Sequence, residues 1–197
     1  NVTVKGCYFV GTGTEGNGGG LYLYYDAVNI FIVDNTFVDT YSLGSSSAAG
    51  GGAMYFNNNI ERLSILNCTF LGTYTSASGG ALNIGYIIVE AIVSGNTFID
   101  TWANVNGGAI LTLSRNDDLL ISSNTFINSF ADSDGGAIMV DTSHTTVRIQ
   151  DNTFIDSTAH FRGGAVAVDI LNWGIYIARN EFLGATADEG GSLYVDV

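Results

Sequence analysis

The chain has 197 residues, 46% of them hydrophobic, with 26 glycines, no proline and a net charge of −13 from 6 basic against 19 acidic residues. So many apolar residues without proline describe a folded chain and exclude a disordered one. The charge opposes phosphate backbones and anionic lipid surfaces, so nucleic acid is not an expected partner. No apolar run approaches 18 residues, so membrane insertion is not expected, and no signal peptide is legible.

Taken in order, the elements repeat. An alternating apolar pair, Val2/Val4, is followed by Phe9, by the Gly-Gly beginning at Gly18 and by a second pair, Leu21/Leu23. The first kind of pair returns as Ile30/Ile32, Leu63/Ile65, Ala91/Val93, Leu119/Ile121, Val147/Ile149 and Ile175/Ile177, ahead of Phe37, Phe70, Phe98, Phe126, Phe154 and Phe182. The second kind returns as Met54/Phe56, Leu82/Ile84, Ile110/Thr112, Ile138/Val140, Val166/Val168 and Leu193/Val195, after the Gly-Gly steps at Gly51, Gly79, Gly107, Gly135, Gly163 and Gly190. Phe70, Phe98, Phe126, Phe154 and Phe182 stand 28 residues apart; Phe37 to Phe70 and Gly18 to Gly51 are both 33. One five-residue insertion, within the loop 41–50, accounts for both long steps.

A period of two means strands, and the glycine pairs leave no helix. Self-similarity at this length marks a solenoid, and the repeat is too short for a four-stranded propeller blade. The expected fold is all-β, a right-handed parallel β-helix of about seven rungs of ~28 residues, roughly 34 Å long at the usual strand spacing. It is read as one segment, residues 1–197. Both termini fall inside strands, so the segment is expected either to belong to a longer array or to stack end to end.

The recurring Gly-Gly-Ala-(Ile/Leu/Val), as in Gly107-Gly108-Ala109-Ile110 and Gly135-Gly136-Ala137-Ile138, with Asn-Thr-Phe downstream, resembles the pectin-lyase-like β-helix repeats of polymorphic outer membrane proteins and related surface adhesins. The resemblance covers the whole chain. It implies a right-handed β-helix at the cell surface or outside the cell, in a fold that also hosts polysaccharide enzymes.

In a stacked solenoid each repeat position becomes a column. Two residues before each phenylalanine stand Cys7, Asn35, Cys68, Asn96, Asn124, Asn152 and Asn180, a structural ladder in which each amide satisfies its neighbours. Cys7 and Cys68 lie two rungs apart, about 9.6 Å, too far for a disulfide, and are read as buried free thiols. Phe31, Val33, Leu66, Ile92, Leu120 and Tyr176 point outward before the phenylalanines, as do Tyr22, Tyr55, Leu111, Met139 and Tyr194 after the glycines. Exposed apolar columns mark a contact surface, so lateral self-association is expected; the competing reading has loops folding over these faces. Four residues after phenylalanine stand Tyr41, Tyr74, Trp102 and Phe130, either a structural stack or a platform for sugar rings. The sequons at Asn1 and Asn67 are candidate glycan sites, Asn67 being read as part of a strand.

Catalysis has little support. Lyases of this fold need calcium carboxylates and a basic residue, and hydrolases need paired acids. The basic residues are scattered, His144 and His160 stand in turns without a nucleophile motif, and the adjacent acids Asp117-Asp118 lie outside any catalytic motif of this fold. No cofactor is implied. Asp141, Asp169 and Asp196 form a like-charged column that is the weak calcium candidate. The chain reads as a non-enzymatic structural or adhesive element forming a fibre or surface layer, with an adhesin passenger and a carbohydrate-binding or polysaccharide-processing helix as alternatives.

Overall fold

A computed structural model describes residues 1–44 and 50–196. The chain is all-β, a parallel solenoid of about seven turns, with no helix among the described residues. Three sheets run along it, of 11, 7 and 6 strands. The first carries both sets of apolar pairs, the second the phenylalanines, and the third short strands such as Trp102–Ala103. Register is kept throughout: Phe98 pairs with Phe70 and Phe126, and Trp102 with Tyr74 and Phe130.

Single residues in the left-handed region make the corners. Gly6, Asp34, Asn67, Gly95, Ser123, Asp151 and Arg179 turn the chain from the first sheet to the second. Gly11, Asp39, Gly72, Asp100, Asn128, Asp156 and Gly184 turn it to the third, and in both columns φ lies between 51° and 69°. Gly, Asn and Asp tolerate this region and other residues adopt it at a cost. Ser123 is exposed and carries that cost, so Ser123→Gly is expected to add roughly 0.5–1 kcal/mol after glycine's own entropy is deducted. A thermal melt reads this as a higher midpoint.

The Gly-Gly step is a requirement of close packing. Gly107 has φ +63, and a Cβ on Gly108 would lie 2.0 Å from the carbonyl oxygen of Gly136 in the next rung. Only glycine fits there. The insertion falls between two points of intact ladder: Gly44 N–H donates to Gly16 O (3.2 Å), and Gly50 O accepts from Gly18 N–H (3.0 Å). The intervening residues 45–49 lie outside the described residues, and Tyr41–Ser42 of the expected loop is a third-sheet strand.

Inside, the apolar pairs of the inner rungs bury completely while those of the end rungs stay partly open, and seven phenylalanines from Phe9 to Phe182 form one stack with centroids 4.5–5.2 Å apart and planes within 9°. One expectation needs correction. In three rungs the two predicted strands are a single one of 13 residues, Leu21–Val33, Met54–Leu66 and Leu82–Ser94. From Leu113 onward the strands separate, as in Ile110–Thr112 and Asp117–Ser122. There side chains replace the missing backbone bonds: Asn116 Oδ1 accepts Ile88 N–H (2.8 Å) and Asn172 Oδ1 accepts His144 N–H (2.9 Å).

Candidate binding surfaces

The Asn/Cys column forms a continuous internal network. Asn96 donates its side-chain amide to Ile65 O (2.9 Å) and Asn124 Oδ1 (3.0 Å), while its backbone N–H donates to that same Oδ1 (2.9 Å). Asn124 repeats the pattern with Val93 and Asn152, and Asn152 with Ile121 and Asn180. Each amide therefore offers two donors and a shared acceptor at a corner where the backbone cannot satisfy itself. Cys68 takes the same place: its thiol reaches Ile32 O at 3.6 Å, as Asn amides reach the equivalent carbonyls, and Asn35 Nδ2 approaches its sulfur at 4.0 Å. Burial pushes this thiol's pKa up. Both cysteines are free, but Cys7 is exposed, contrary to the expected burial, because no rung lies over its outer side.

The outward columns divide. In the first sheet Phe31, Ile92 and Tyr176 are exposed, and Val33, Leu66 and Leu120 half-buried. After the glycines the expectation of exposure fails at Tyr55, Leu111 and Met139, which are 4%, 2% and 3% exposed. Leu111 and Met139 join Leu113 and Ala167 in a second apolar cluster against which Tyr86 packs. Tyr55 stacks on Tyr22 (5.3 Å, 18°), and burial pushes its hydroxyl up to about 12, keeping it a neutral donor to Asn57 Oδ1 (3.2 Å). Strand alternation assigned these side chains to the outer face correctly; what lies over that face decided their burial. Tyr22 remains exposed, and Tyr194 is half-buried under the Arg162 guanidinium, 5.1 Å from its ring centre.

A second polar column supports this covered region. Asn116, His144 and Asn172 stand in successive rungs; His144 is fully buried, with Nε2 3.3 Å from Thr112 Oγ1 and Nδ1 lacking a hydrogen-bond partner. Burial lowers its pKa to about 4, opposed by the nearby backbone of Thr112 and Asn116. Their 28-residue spacing was legible in the sequence, although His144 read only as a turn residue.

On the third sheet, rings pack edge to face: Tyr74 with Trp102 (6.5 Å, 82°), Trp102 with Phe130 (5.0 Å, 70°), and Phe130 with His160 (5.2 Å, 85°). Tyr41 instead lies over Gly13, where a Cβ would come within 2.4 Å of three of its ring atoms. The rings thus brace one another, although Tyr41 and Trp102 remain exposed. Asp141 and Asp169 use Oδ1 to accept the next residue's N–H, at 2.9 Å in both cases, and Asp196 continues their column. Burial raises the Asp141 carboxyl. No group of three or more metal-ligating side chains occurs among the described residues. Asn1 and Asn67 are exposed, and Asn67 occupies a left-handed corner instead of the strand interior expected for it.

Compared with protein-family models, curated proteins and solved structures, the chain matches none of them. Its surfaces must be read on their own chemistry.

Proposed function

We propose that the protein is a non-enzymatic structural or adhesive β-solenoid of the cell surface or extracellular space, whose first sheet packs side by side against other copies or neighbouring repeats. The observation that carries this reading is the exposure of Phe31, Ile92 and Tyr176 in one outward column, interleaved with Ser64, Leu120 and Arg148, on a sheet whose opposite face is the buried core. Water-exposed aromatic and aliphatic side chains on a stiff, regular face gain by being covered. The sequence resemblance to surface β-helix repeats, pectin-lyase-like in character, supports the same reading.

The basic residues also favour a structural role. Arg62, Arg148, Arg162 and Arg179 pair with Glu61, Asp118, Asp134 and Asp151, and His144 is buried and neutral near pH 7. Side-by-side contact must overcome repulsion between rods of net charge −13, so added salt should promote it. Electron microscopy of purified protein at rising concentration and salt tests the proposal. Laterally associated rods are the expected result; isolated rods under all conditions contradict it.

A further inference from the structure

The three long strands share a bend that the other rungs lack as continuous strand. Each visits the left-handed region twice, three residues apart: at Asp26 and Asn29, at Asn59 and Arg62, and at Ile87 and Glu90. Between these turns the outer face holds a groove of about 420 Å3. Its walls include Val28, Ile87 and Val89, exposed by 40%, 40% and 38%. Its rim is acidic, with Asp26, Glu61 and Glu90. Arg62 partly neutralises Glu61, and Asp26 accepts a hydrogen bond from Asn59 (3.2 Å). Glu90 makes no ion pair among the described residues.

Ile87 singles this groove out. It holds φ +56, a conformation that crowds a β-branched side chain and costs roughly 1–2 kcal/mol. Its column elsewhere carries Asp26, Asn59, Arg115 and Ser143, with Leu171 the other apolar member. Asp and Asn meet the backbone requirement with less strain, and Ile87 gains no full burial in return. Strain of this kind, retained at an exposed position, is a marker of function. An apolar contact from outside the chain would offset both costs.

We infer that the groove binds a short segment of a partner protein carrying aliphatic side chains and lysines or arginines. The aliphatic groups cover Ile87, Val28 and Val89. The cations lay their apolar stems along the walls and place their charges at Glu90, Asp26 and Glu61. This partner is distinct from a second copy of this acidic chain, so the inference does not depend on lateral self-association.

Fluorescence anisotropy with a labelled nine-residue peptide of valine and lysine tests it. Two control peptides replace valine by serine or lysine by glutamate. The decisive variant is Ile87→Asn, which keeps the net charge and suits the left-handed backbone, so it should melt no lower than the parent. The parent should bind the valine/lysine peptide more tightly than either control, and Ile87→Asn should weaken that binding about tenfold. Glu90→Gln should weaken it too and flatten its salt dependence. Equal binding of the valine/lysine and serine/lysine peptides, equal binding by parent and Ile87→Asn, or no binding overturns the inference. Peptide binding by a protein that remains monomeric would uphold it while removing the self-association proposal.

Discussion

Between pH 6.5 and pH 4 the protein should lose roughly 3 kcal/mol of stability through one side chain, His144. In the folded chain its pKa falls from 6.5 to about 4 because burial penalises the imidazolium. At intermediate pH the unfolded chain therefore binds a proton that the folded chain does not, and stability falls as pH falls. The contribution is fully present above about 6.5 and has gone by about 4. The variant His144→Asn should lack this pH dependence. Its amide would continue the column between Asn116 and Asn172, with Oδ1 placed to accept Asn116 N–H as Asn116 accepts from Ile88. Urea titrations at pH 7 and pH 4.5 compare the two proteins. Equal acid losses in both would show that His144 is not the group responsible.

The second large effect belongs to the Asn ladder. Asn124→Ala should cost roughly 3–5 kcal/mol, because it strands the buried Asn96 N–H and one donor of the Asn96 side-chain amide at about 1–3 kcal/mol each and leaves space at a packed corner. Both donors are now bonded to Asn124 Oδ1. Asn124→Cys should cost less, since Cys68 already shows a thiol meeting the equivalent carbonyl and amide. Denaturant midpoints for the two variants at neutral pH provide the comparison, and an alanine variant as stable as the cysteine variant would contradict the account.

The fold was legible because spacing alone carried it. Phe9 to Phe182 and the Gly-Gly steps define rungs, and a 28-residue period with alternating apolar pairs leaves parallel stacking as the packing solution. The corners were also written in the residue types: Phe plus two is Gly11, Asp39, Gly72, Asp100, Asn128, Asp156 or Gly184, the group that tolerates left-handed backbone. The surface was less legible. Alternation states which face a side chain takes, and therefore could not separate exposed Ile92 from buried Leu111 or Met139. That difference comes from Leu113 and Tyr86, which belong to other positions of the repeat. The Ile87 groove was hidden for a related reason. Its backbone conformation follows the register of Asp26 and Asn59 in neighbouring rungs and opposes isoleucine's own preference.

Lateral association through the first sheet is most directly tested by sedimentation equilibrium of the parent protein and Ile92→Lys. Ile92 is exposed and pairs in register with Ser64 and Leu120, so lysine there should leave the fold and circular dichroism spectrum intact. The parent is expected to associate with rising concentration, and Ile92→Lys to remain monomeric over the same range. A parent protein that stays monomeric, or a lysine variant that associates equally, would contradict the account.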